Sequence, residues 1–175
     1  PGYIKKNKPL FFYRPVKPID TIITLTIVNS CLFVILLTFI IFITSIYSER
    51  IFLNDFPLMV LSITLLSILG FSFGIIFMVA CHRFNPILKF TRFVRRPLFI
   101  TSGIFFQSIS IPQQAWKFVG WNPILHAIEL TRLGSTYEYQ ISNQISLNYL
   151  LESTTIVFLI ALVIYSKNKH LLLRS

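Results

Sequence analysis

The chain has 175 residues and a formal net charge of +10, with 54% hydrophobic residues, only 13% charged residues and a mean hydropathy of +0.72. So few charges, with the apolar residues gathered into long blocks, exclude an ordinary soluble domain and indicate an all-α polytopic integral membrane protein. The basic residues lie between those blocks, so membrane topology explains the charge without a nucleic-acid partner.

Residues 1–20 carry Lys5, Lys6, Lys8, Arg14 and Lys17 around Pro9, Pro15 and Pro18. No short apolar region and small-residue cleavage site follow at once, so this is not a signal peptide. It reads as a loop cut open. Asp20 stands at an N-cap position, and the uncharged run 21–47 is 27 residues long, about 40 Å of helix at 1.5 Å per residue. This is the first expected span.

Residues 48–55 form a short hairpin connection holding Glu49, Arg50 and Asp55. The second expected span, 56–81, opens with Pro57 in its first turn, where a missing N–H costs little. Gly70 and Gly74 within it have the spacing that lets membrane helices approach closely, with Ser67 and Ser72 nearby. The basic stretch 82–96 interleaves Arg83, Lys89, Arg92, Arg95 and Arg96 with Phe84, Phe90 and Phe93, and reads as an amphipathic segment along a membrane surface.

A third crossing is expected over 97–112, short against the roughly 20 residues a helix needs to span. Pro112, Gln113 and Gln114 end it. Trp116 and Trp121 then bracket Gly120, and Asn122-Pro123 supplies an N-cap and a proline at the first helical position for a short helix from Ile124 to Leu133. Its apolar positions include Ile124, Leu125, Ile128 and Leu133, and His126, Glu129 and Arg132 are polar. A short span, an aromatic turn and a short helix read together as a re-entrant gate over 113–134, because irregular backbone at membrane depth survives only where protein or water satisfies it. A polar connection with Tyr137 and Tyr139 leads to the last span, 147–166, with Lys167, Lys169 and Arg174 beyond it.

Of the sixteen basic residues, thirteen fall in 1–20, 82–96 and 167–175, leaving Arg50, Lys117 and Arg132 on the other side. The positive-inside rule then places both ends of these residues in the cytoplasm, with four passes between.

Catalytic signals are sparse. No Gly-Lys pair exists to build a phosphate-cradling loop, so any ATP hydrolysis belongs to a separate subunit. Cys31 and Cys81 lack metal or redox spacing, and the His126–Glu129 pair has no second pair to complete a metal site. No cofactor is expected. Trp116, Trp121, Tyr137 and Tyr139 suit an interfacial aromatic belt, and equally flat faces for sugar rings at a pore mouth.

Four runs carry a family resemblance: FFYRPVKPIDTII at Phe11–Ile23, RPLFITSGIFF at Arg96–Phe106, IPQQAW at Ile111–Trp116 and WNPILHAIELTR at Trp121–Arg132. They resemble the inner-membrane permease subunit of ABC-2-type exporters of capsular polysaccharide in Gram-negative bacteria, in order and over nearly the whole chain. The resemblance implies a half-transporter that dimerises, binds a cytoplasmic ATP-binding cassette subunit and exports a lipid-linked polysaccharide. It also implies that these residues correspond to the C-terminal four of six spans. By the same resemblance Phe11, Phe12, Tyr13 and Arg14 belong to the ATPase-coupling loop, and Trp116, Trp121, Asn122, His126 and Glu129 to a periplasmic gate or sugar contact. An ABC-2 permease for another polymer, such as O-antigen or teichoic acid, shares this architecture. A membrane-embedded transferase and a plain channel are readings from other classes.

Overall fold

The computed structural model describes residues 18–47, 54–83, 96–137 and 139–173. Among them the regular structure is helical throughout: α1 (Pro18–Tyr47), α2 (Phe56–Arg83), a 3-10 turn (Ser108–Ser110), α3 (Gln113–Val119), α4 (Pro123–Ser135) and α5 (Leu147–Leu173). Segments of α1, α2 and α5 are long and apolar enough to cross a membrane: Ile19–Phe39, Phe56–His82 and Leu147–Lys169.

Side-chain packing relates the three long helices. Phe71 of α2 lies 6.5 Å, ring centroid to ring centroid, from Phe158 of α5. Further along, Met78 and Val79 pack against Ile164 and Tyr165, so α2 and α5 run in the same direction. Ile22, in the first turns of α1, packs against the same Met78 and Val79. The start of α1 and the ends of α2 and α5 therefore share one end of the bundle. Asn54 and the connection ahead of α5 share the other, which is the grouping that the basic residues suggest.

Several expectations shift. α1 begins at Pro18, so Asp20 sits in its first turn and not at its N-cap. Of the two spaced glycines in α2, a Cβ on Gly74 would touch Ile22 of α1 at 3.4 Å, whereas Gly70 faces open space; the close approach is confined to one residue. Residues 97–112, expected as the third crossing, do not form one helix. Only 96–100 are helical, the chain turns at 101–106, and the 3-10 turn follows. Asn122 Nδ2 donates to Thr101 Oγ1 at 3.1 Å, and Trp121 is in turn tied to Tyr149 near the start of α5. Leu98 and Thr101 thus already stand toward the Asn54 end. The amphipathic reading of 82–96 falls mostly on residues outside those described, as do the coupling-loop residues Phe11, Phe12, Tyr13 and Arg14.

α4 is pinned at the mouth of the bundle. The Gly134 carbonyl accepts from the backbone N–H of Asn54 at 3.1 Å and of Asp55 at 2.9 Å. A Cβ at Gly134 would come within 2.7 Å of the Asp55 carbonyl and 2.8 Å of the Met59 nitrogen. Only glycine permits that approach of α4 to the first turn of α2. Leu65, Leu69, Trp116, Leu125, Ala127, Leu130, Ile145 and Leu150 form the buried core joining α2, α3, α4 and α5.

Candidate functional site

The site is built around α4, whose start is set locally. Asn122 is extended (φ −82°, ψ 108°), its side chain accepts from the Ile124 N–H at 3.1 Å, and Pro123 opens the helix. The cap was legible in the sequence. Its second function was not: the same amide reaches back to Thr101, so one side chain both starts α4 and anchors the turn before it.

The polar residues of α4 face inward. Glu129 has no exposed surface. Its carboxylate accepts from the Ser108 N–H at 3.1 Å, from Arg132 Nη1 at 2.9 Å and from the Tyr139 hydroxyl at 3.0 Å. Ser108 Oγ in turn accepts from the Ser142 N–H at 3.1 Å. A buried carboxylate with donors from two other segments and from α4 itself is stabilising as a set and costly to leave half-paired. Burial and the neighbouring Glu129 together push the Tyr139 phenol above its ordinary range.

His126 has the same character. The Ser146 backbone N–H donates to Nδ1 at 3.1 Å, which requires an unprotonated nitrogen there. Nε2 then carries the proton and donates to the Gly120 carbonyl at 2.9 Å. The ring packs on Tyr149 at 4.7 Å, and the Tyr149 hydroxyl donates to the Trp121 carbonyl at 2.8 Å. Burial lowers the affinity of His126 for a second proton, opposed in part by the bond to Gly120. His126 and Glu129 are thus engaged with different partners, and among the described residues no cluster of three metal-ligating side chains occurs.

The two tryptophans separate. Trp116 is buried, 7% exposed, in the core under α3, so its ring has no free face for a ligand. Trp121 is 78% exposed. Phe118 at 84% and Phe105 at 73% are also exposed. Of the two tryptophans expected to contact sugar, only Trp121 has an exposed ring. Phe105 and Phe118 were not singled out in the sequence, where they read as ordinary apolar positions; only the turn at 101–106 and the shortness of α3 turn them outward. Tyr137 is exposed and Tyr139 is committed to Glu129.

What this arrangement can do is hold a short helix and an irregular turn at one end of a membrane bundle, every buried polar side-chain atom among the described residues being paired, while presenting flat apolar faces outward. The chain matches the family model described as ABC-2 type transporter over residues 11–134. It is similar to two forms of the polysialic acid transport protein KpsM of Escherichia coli, at 39% and 38% identity, each over 99% of this chain and 67% of the relative. It is also similar, at 25% identity over 93% of this chain and 61% of the relative, to the capsule polysaccharide export inner-membrane protein BexB of Haemophilus influenzae. The chain therefore spans about two thirds of the length of these relatives.

Proposed function

The chain belongs to the ABC-2 type transporter family, and from that premise we propose that it is a membrane-spanning permease subunit of an ATP-driven exporter that moves lipid-linked capsular polysaccharide across the bacterial inner membrane. The observation that carries this reading is the identity to polysialic acid transport proteins across essentially all of the chain. It fits a bundle of three helices apolar enough to cross a membrane. The permease works with a cytoplasmic ATP-binding cassette subunit, which hydrolyses the ATP, and pairs with a second copy of itself. The basic end of the bundle faces the cytoplasm, and α4 with its flanking turns faces the periplasm as the gate.

In this arrangement the Phe11–Arg14 stretch meets the ATPase: aromatic side chains supply interface energy and the flanking lysines steer the encounter. Trp121 offers an exposed face to sugar rings leaving the path, as apolar ring faces pack on sugar C–H surfaces.

The test is genetic and chemical. Deleting the gene that encodes these residues should strip polysaccharide from the cell surface and leave lipid-linked polymer inside, and the composition of the retained polymer identifies the substrate. Retention of O-antigen or teichoic acid in place of capsule would reassign the substrate, and an undiminished surface coat would refute the exporter reading.

A further inference from the structure

Arg132 lies within the expected gate but not among its expected contact residues, and its guanidinium bonds three carbonyls of irregular backbone. Nη1 donates to the carbonyls of Gly103 at 2.8 Å and Phe106 at 3.0 Å, and Nη2 to that of Ile104 at 2.9 Å. Nη1 also donates to Glu129 Oε1 at 2.9 Å. The three carbonyls belong to the turn that follows the helical residues 96–100, where the helix has stopped and its acceptors lack the N–H partners a continuing helix would give them. Gly103 takes a left-handed conformation there, φ +77°, with its Cα side against Leu125. Beside a membrane such a turn persists only if other groups satisfy it. A planar guanidinium can serve several divergent acceptors at once; an ammonium on a flexible stem cannot reproduce that fork.

The same turn carries Phe105, whose ring stands edge-on to Phe99 at 5.5 Å, and Asn122 ties Thr101 to the residue next to Trp121. We propose that Arg132 is a positioning residue of the export path: by clamping the 103–106 turn to α4 it fixes where Phe105 stands relative to Trp121. Glu129, itself held by Ser108 and Tyr139, orients the guanidinium for this task. The proposal rests on the exporter reading above, and the experiment separates the two.

A nitroxide is placed at Phe105→Cys, in a background with Cys31→Ser and Cys81→Ser, with a second labelled protein at Val163→Cys, an exposed position on α5, as control. With Arg132 native, the label at 105 should give a single slow component. Arg132→Lys, which keeps the charge and loses the fork, should add a fast component at 105 and leave 163 unchanged. In unlabelled protein the same substitution should lower export per assembled transporter about tenfold, the factor that corresponds to one lost charge-assisted hydrogen bond. Native-like mobility at 105 in Arg132→Lys would overturn the clamp. Raised mobility with undiminished export would overturn its positioning role. Absence of polymer export by the native protein would overturn the exporter reading instead, with the mobility still reporting on the clamp.

Discussion

The division between Trp116 and Trp121 shows what a single residue can and cannot disclose from sequence. Both flank Gly120 in the same aromatic turn, and nothing in their spacing tells which ring enters the core; that depends on α3 packing over α2 and α5. Their mutants should diverge accordingly. Trp116→Ala removes a buried ring and should cost about 3–5 kcal/mol, read as a lower amount of protein in the membrane. Trp121→Ala should leave the amount near normal and lower surface polysaccharide per assembled transporter several-fold, with Trp121→Phe retaining most of it. Equal export by the Ala and native proteins would reduce Trp121 to an interfacial anchor. His126 gives a pH dependence whose sign follows from its bonds. Its folded pKa lies below the ordinary value of 6.5, so the opened state takes up the proton first. The contribution of the neutral ring is therefore present above about pH 6.5 and declines as pH falls below it. Amide exchange at Ser146, corrected for intrinsic rate, should quicken at pH 5.5 relative to pH 7.5. No change would show that the ring does not hold α4 to the start of α5.

At the scale of the elements, α1, α2 and α5 were legible because long uncharged runs have no other stable use, and α4 was legible because Asn122-Pro123 is a start signal with a mechanism. The helix expected over 97–112 stops at residue 100. The apolar run through Phe106 continues past the point where the helix ends, and the Arg132 guanidinium that bonds the carbonyls of the following turn lies some thirty residues away and has no local signature. Gly134 was missed for the same reason: its need for a bare Cα comes from the backbone of Asp55 and Met59. Gly134→Ala should push α4 off the first turn of α2 at a cost of roughly 1–3 kcal/mol, measurable as a lower midpoint in thermal unfolding of the purified protein. An unchanged midpoint would mean that the contact yields without cost. The coupling stretch makes its own forecast: Phe12→Asp should weaken co-purification of the ATP-binding subunit while leaving membrane insertion intact, and recovery at the native ratio would place the contact elsewhere.

For the molecule as a whole, the start of α1 and the ends of α2 and α5 lie together, and the thirteen-to-three division of basic residues says which way that set should face. In a background without Cys31 and Cys81, single cysteines at Asn54 and Gln140 should react with an impermeant thiol reagent added to the periplasm, and one at Lys167 should not. Reaction at Lys167 alone would invert the bundle. The measurement that bears most directly on function is surface polysaccharide in cells deleted for the gene that encodes these residues, restored with the permease alone, with its ATP-binding subunit alone, or with both. Polymer should reach the surface only when both are present and the subunit can hydrolyse ATP. Polymer at the surface with the permease alone would contradict an ATP-driven exporter and leave a channel in its place.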